Sequence, residues 1–216
     1  ELATLDGPEV AGDLEKSLFS VSEKLENADR LHAKLAAEHN VHIIAASGPA
    51  ATEARPVNRA RLITPTGQIG VQDKQIMTRF EREEWGVQGG TALQVFDTAI
   101  GRIGILICYD SEFPLLGRAL SECDVICVPS VTETLAGYWR VRIGSMARAL
   151  ENQCITAMSS VVGAADWSEA LGQSFGAGGI FCPPDRGFPA EGILGLRGLN
   201  EPGWTLAEAD LAQVAE

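Results

Sequence analysis

Gly104-Ile-Leu-Ile-Cys-Tyr-Asp-Ser-Glu-Phe-Pro114 sets the reading of this chain. It closes the run Ile100 to Ile107, nearly continuous in apolar residues, as a strand buried on both faces would be. Cys108 stands where that strand stops, and from Pro114 to Glu122 the chain can form a helix. A buried strand that turns into a helix needs a sheet with helices laid on its faces. The fold class expected is therefore α/β.

Outward from this segment the pattern continues on both sides. Downstream, Val125 to Val128 reads as a strand, Trp139 to Asn152 as a helix with Ile143, Met146, Ala147 and Leu150 on one side, and Ile155 to Val162 as a strand. Gly163 to Gly179 is rich in Gly, Ala and Ser. Short strands at Ile180 to Cys182 and Ile193 to Leu196 then flank the turn Pro183-Pro-Asp-Arg-Gly187. Upstream, Leu93 to Phe96 is strand-like, and the polar stretch Gln75 to Gly90 reads as an irregular loop. Asn58 to Thr64 and Gly67 to Lys74 form a hairpin about Pro65-Thr-Gly67, which puts Lys74 at a strand end. Val41 to Ala46 is a strand and Ser47 to Pro56 a loop. From Asp13 to about His39, the stripe Leu14, Leu18, Val21, Leu25, Ala28, Leu31 and Leu35 predicts an amphipathic helix covering a sheet.

At 216 residues, 45% hydrophobic and 21% charged, the chain can bury a substantial core, and one domain over residues 1–216 is expected. A net charge of -12 argues against nucleic acid or an anionic membrane surface, since both need clustered Lys and Arg. A small-molecule substrate fits better. No apolar run approaches the roughly 20 residues of a membrane span, and no signal-peptide pattern opens the sequence, so a cytoplasmic protein is expected. The five cysteines (Cys108, Cys123, Cys127, Cys154, Cys182) lack CxxC spacing and read as reduced thiols. His32, His39 and His42 all lie before residue 45, remote in sequence from other candidate chemistry, and no metal site is expected.

Taken alone, a cysteine ending an apolar strand is more often a core thiol than a reagent. The turn after Ile107 nevertheless has the logic of a nucleophile elbow: it exposes a side chain beside backbone N–H groups, and that of Tyr109 can meet a developing oxyanion. Cys108-Tyr-Asp-Ser-Glu-Phe-Pro114 resembles the cysteine motif of the nitrilase superfamily, the carbon–nitrogen hydrolases. Further blocks resemble that family in the same order. They are Asn58-Arg-Ala-Arg-Leu-Ile-Thr-Pro-Thr-Gly67 with Asp73-Lys74-Gln75, then Ala147-Arg-Ala-Leu-Glu-Asn-Gln153, then Gly178-Gly-Ile-Phe-Cys-Pro-Pro-Asp-Arg-Gly187. The likeness runs from about residue 30 to residue 190.

The resemblance implies a four-layer α-β-β-α sandwich, a Glu-Lys-Cys catalytic set and no metal or organic cofactor. It also implies assembly as a homodimer or larger homo-oligomer. Cys108 would attack the carbon of an amide, N-carbamoyl compound or nitrile, giving an acyl-cysteine or thioimidate intermediate that water hydrolyses. Lys74 would favour the thiolate and donate to the oxyanion. A second family glutamate follows the lysine, with Glu81, Glu83 and Glu84 as candidates and Glu81 the first choice. Glu151 would support the site from behind. Tyr109, Thr132 and Glu133 would line the substrate pocket.

The general base is the weak point of the resemblance. The family's first glutamate follows an early strand; either Glu1 is that residue or it lies upstream, and the domain is expected to be shortened at both ends. Two other cysteine hydrolases fit less well. A papain-like site lacks its Cys-Gly-x-Cys-Trp context, and an isochorismatase-like site would not predict Arg-Ala-x-Glu-Asn after the nucleophile. An inactive binding or assembly module with the same fold is the remaining alternative.

Overall fold

Asp13 starts the first long helix, α1 (Leu14–His39): its carboxylate accepts the Lys16 N–H at 2.9 Å, and Asn40 ends the helix in the left-handed conformation. The computed structural model describes residues 8–10, 12–168 and 171–214. These fall into two units, one holding the described residues up to Ala92 with those of 165–172, the other those of 93–164 and 173–216.

In the first unit α1 packs on β1 (Ile43–Ala50), which pairs antiparallel with β2 (Val57–Ile63), itself paired antiparallel with β3 (Ile69–Asp73). Leu18, Val21, Leu25 and Ala36 are buried, whereas Leu31 is 55% exposed. The predicted stripe follows a 3.5-residue repeat, but a straight helix turns every 3.6 residues, so burial drifts from Leu31 toward Ala36. Two clusters seal the layer, Leu25 with Ala50 and Val57, and Ala36 with Ala45 and Ile63. Burying each of the larger side chains contributes about 1.5–3 kcal/mol.

Strand β1 starts later and ends later than its apolar run suggests, taking in Ser47 to Ala50, which the sequence reads as loop. It lies at the sheet edge, and its register shifts between Ala45 and Gly48. An edge and a bulge are the places where a strand tolerates Pro49. The hairpin turn sits where expected, with Gly67 at φ +81° and the Thr64 N–H donating to the Gln68 carbonyl. The segment read as irregular loop contains a helix, α2 (Arg79–Glu83).

In the second unit β4 (Phe96–Thr98), β5 (Gly101–Ile105), β6 (Val125–Ser130), β7 (Ile155–Ser160), β10 (Gly179–Phe181) and β11 (Ile193–Leu196) form one sheet, with β5, β6 and β7 parallel at its centre. Strands β8 (Gly163–Ala165) and β9 (Gly172–Ser174) are short. Helices α3 (Pro114–Ala119) and α4 (Leu135–Asn152) follow β5 and β6 as crossovers. The core joins Leu106, Leu120, Ile126, Val128, Tyr138, Val141, Ala149 and Phe181.

Helix α4 starts at Leu135, earlier than the Trp139 read from sequence, because Thr134 caps it by accepting the Gly137 N–H at 3.0 Å. Its packed face is also not the expected one. Tyr138, Val141, Gly144, Ser145, Arg148 and Ala149 are buried, while Ile143 and Leu150 are 61% and 52% exposed. Small residues face inward because the helix runs close against its neighbours: a Cβ on Gly144 would meet the Ser111 carbonyl oxygen at 2.7 Å. Each unit is thus helices on a sheet, and the α/β class holds. Among the described residues no helix is long and apolar enough to cross a membrane.

Candidate active site

Lys74 leaves the end of β3 with its backbone fixed on both sides. Its N–H donates to the Asn58 carbonyl at 2.8 Å, and its own carbonyl accepts the Gly90 N–H at 3.3 Å. The side chain is only 3% exposed, and its ammonium lies 2.6 Å from Glu81 Oε2. Glu81 is the third residue of α2 and closes a capping box: Thr78 Oγ1 accepts the Glu81 N–H, and Glu81 Oε2 accepts the Thr78 N–H at 2.8 Å and its hydroxyl at 2.9 Å. Asn58 Nδ2 donates to Oε1 at 3.0 Å. Burial pushes the Glu81 carboxyl up, but the Lys74 charge and these hydrogen bonds outweigh it and hold the group below its ordinary 4.5.

The residue before the lysine is fixed as firmly. Asp73 takes two hydrogen bonds from Arg59, at 2.6 and 3.0 Å, and two from Thr91. Burial raises its carboxyl, and Arg59 and Thr91 together bring it below the ordinary 3.8. Gly90 has no room for a side chain, since a Cβ there would overlap that of Asp73. Of the three candidate glutamates Glu81 is the buried one. Glu83 pairs with Arg79 and Arg82 on the surface, and Glu84 is exposed.

In the second unit the parallel register Ile105↔Cys127↔Ala157 brings the carboxyl ends of β5, β6 and β7 level, the edge at which open α/β sheets hold ligands. Cys108 lies just beyond β5 as the first residue of a 3-10 turn (Cys108–Glu112) and takes φ +51°. A non-glycine residue there is strained by about 1–2 kcal/mol. Its half-buried thiol donates to the Val131 carbonyl at 3.3 Å, in the loop after β6.

The turn is braced at several points. Asp110 Oδ2 accepts the Ile107 N–H at 3.3 Å, and the Ser111 hydroxyl donates to the Cys108 carbonyl at 2.7 Å. Arg148, 3% exposed on α4, donates to the Ser111 carbonyl at 3.0 Å and pairs with Glu151 at 2.8 Å. Tyr109 packs edge-on against Phe113 with centroids 4.9 Å apart. Thr132 Oγ1 donates to the Phe175 carbonyl at 2.6 Å, which commits its hydrogen to the protein, and Glu133 is exposed. Burial pushes Cys123 up to about 11 and Cys127 and Cys154 up to about 12. All five thiols are unbridged.

Residues 12–178 match the model of the carbon–nitrogen hydrolase family. The chain belongs to that family. It is similar to the probable hydrolase YhcX of Bacillus subtilis (strain 168), 38% identical over 193 residues that cover 88% of this chain and 38% of that protein. It is also similar to the deaminated glutathione amidase of Yersinia enterocolitica, 38% identical over 43% of this chain and 33% of that one. The chain therefore spans well under two thirds of the length of these curated relatives. A carbon–nitrogen hydrolase from Helicobacter pylori G27 has the same fold, with TM-score 0.75 at 18% identity over 99% of this chain and 74% of that one.

Within this family framework the first unit brings Lys74 and Glu81 together, and the second sets Cys108 and Tyr109 at one strand end with Thr132 in the loop beside it. Glu1 lies outside the described residues. Asn58, Ser111 and Arg148 lie within the family-like blocks without a role of their own being expected of them, and Thr78 lies outside those blocks. Thr78-x-x-Glu81 was visible as a capping-box spacing; the others are polar residues whose partners become evident only in three dimensions. Among the described residues no group of three or more His, Cys, Asp or Glu side chains could hold a metal ion.

Proposed function

We propose that the chain carries out hydrolysis of a non-peptide C–N bond in a small amide, N-carbamoyl compound or nitrile, through an acyl-cysteine on Cys108. The observation that carries this reading is the placement of Cys108 at φ +51° beyond β5, heading a 3-10 turn in a carbon–nitrogen hydrolase. As second residue of that turn, Tyr109 presents an N–H with no acceptor inside the turn. The thiolate adds to the substrate carbon, and the charge that develops on oxygen is met by the Tyr109 N–H. For an amide or N-carbamoyl compound, collapse expels ammonia or an amine, which takes up a proton; for a nitrile the charge develops on nitrogen instead, giving a thioimidate that takes up a proton, adds one water and then expels ammonia to reach the same thioester. Water then adds to the thioester, and cleavage of the C–S bond returns the thiol.

Lys74 is the cation of this scheme. Its partner Glu81 already accepts from Lys74, Thr78 and Asn58, which supports a positioning role: the carboxylate holds the ammonium rather than moving protons. The proton transfers then need the other glutamate of the family set, for which Glu1 is the candidate within this sequence. An amide is the first substrate class to examine, since one relative is named an amidase. Thr132 and Glu133 are proposed as pocket residues, and self-association into a dimer or larger assembly is part of the same reading.

Ammonia release from propionamide, N-carbamoyl-alanine and propionitrile tests the reading. Wild-type protein is expected to act on at least one class and Cys108→Ala on none. Turnover that survives Cys108→Ala, or no release from any of the three, overturns it.

A further inference from the structure

We infer that Ser111 is a positioning residue for the oxyanion donor. The Cys108 carbonyl and the Tyr109 N–H belong to one peptide group. That peptide is trans, so the two point in opposite directions. The Ser111 hydroxyl donates to this carbonyl at 2.7 Å, so it grips the peptide by the end facing away from the substrate. Two consequences follow. The peptide plane, which a left-handed Cys108 leaves in a sparsely populated conformation, is held in one orientation. A hydrogen bond accepted by the carbonyl also polarises the amide and strengthens its N–H as a donor.

The serine is itself locked. It is 0% exposed, its carbonyl accepts from the Arg148 guanidinium at 3.0 Å, and Gly144 of α4 approaches so closely that a Cβ there would lie 3.2 Å from the serine hydroxyl oxygen. Arg148 is braced in turn by Glu151. A line of contacts therefore runs from the Glu151 carboxylate through Arg148 and Ser111 to the peptide that faces the reacting oxygen. This assignment rests on the reading of Cys108 as nucleophile and adds the group that aims its oxyanion donor.

Two reagents separate aiming from mere support of the turn. p-Nitrophenyl acetate acylates a thiolate through a tetrahedral oxyanion: the C–S bond forms, charge develops on the carbonyl oxygen, and p-nitrophenolate leaves. Iodoacetamide alkylates by displacing iodide, with no charge developing at its carbonyl. In Ser111→Ala, acylation of Cys108 followed by peptide mass mapping should slow by about 5- to 20-fold, while alkylation of Cys108 stays within about twofold of wild type. Ser111→Cys retains a weaker donor and should fall between the two; it carries the comparison if Ser111→Ala does not fold. Equal slowing of both reactions, or no slowing of acylation, overturns the inference and leaves the Cys108 reading standing. A wild-type Cys108 that neither reagent modifies ahead of the other thiols overturns both.

Discussion

The Lys74 ammonium and the Glu81 carboxylate meet at 2.6 Å with both side chains buried, 3% and 9% exposed. Neither charge has water to fall back on. Such a pair need not stabilise the fold relative to two apolar residues, but losing one member leaves the other buried and unpaired. The pair therefore links placement of the lysine to the integrity of the unit that carries it.

Glu81→Ala should cost about 3–5 kcal/mol in urea unfolding, because Lys74 then keeps a buried charge without its carboxylate. The double variant Lys74→Met with Glu81→Leu should recover most of that loss while giving no hydrolysis. A double variant as unstable as Glu81→Ala would show that the cost lies in the packing of α2 and not in the unpaired charge.

Acid should weaken the fold through the same residues. Glu81 and Asp73 sit below their ordinary values of 4.5 and 3.8 in the folded chain, so protons bind them more readily once it unfolds. Their contribution is complete above about pH 5 and is lost as pH falls through their folded-state values. Urea midpoints should drop from pH 5 to pH 3, and Asp73→Asn should make that drop shallower. A midpoint that stays level over this range would contradict the assignment.

Thiol reactivity should be ordered by burial. At pH 8, groups near 11 and 12 leave about one thiolate in 10³ or 10⁴, so Cys123, Cys127 and Cys154 should be nearly inert to iodoacetamide. Cys108, half-buried at the head of its turn, should be modified first in a timed peptide map. Labelling of Cys127 or Cys154 at the same rate would count against its special placement.

Gly144→Ala should lower the thermal midpoint by an amount matching about 1–3 kcal/mol of overpacking, since its Cβ would lie 2.7 Å from the Ser111 oxygen. It should also slow p-nitrophenyl acetate acylation of Cys108, because Ser111 must shift. An unchanged midpoint would mean that α4 can move off the turn without strain.

The parts of the fold that are legible in the amino-acid sequence are those governed by local chemistry. Asp13 before a hydrophobic stripe announced α1, and Pro65-Thr-Gly67 announced the hairpin. The apolar run before Cys108 announced a buried strand and the turn after it. Errors arose where packing, and not pattern, chose the face. Leu31 belongs to the apolar repeat but drifts outward as the helix turns, and α4 hides Gly144, Ser145 and Arg148 while exposing Ile143 and Leu150. Helix α2 has no apolar periodicity to mark it because charges dominate Arg79 to Glu84, although Thr78 and Glu81 carry its capping signal.

The candidate site shows the same division. Cys108 and Lys74 were accessible through strand ends and motif spacing, and burial has since separated Glu81 from Glu83 and Glu84. The side chains of Asn58 and Ser111 reach Glu81 and the Cys108 carbonyl through single hydrogen bonds, and a small polar residue in a strand or turn gives no periodicity from which to infer such a bond.

The left-handed backbone of Cys108 also sets a direction for neutral drift. Glycine would occupy φ +51° without a Cβ penalty, so Cys108→Gly could relax the turn by about 1 kcal/mol. Under the proposed mechanism that same change removes the reacting sulfur. A lineage released from selection for chemistry would thus find a more comfortable backbone where the nucleophile now stands, and would have no energetic reason to return.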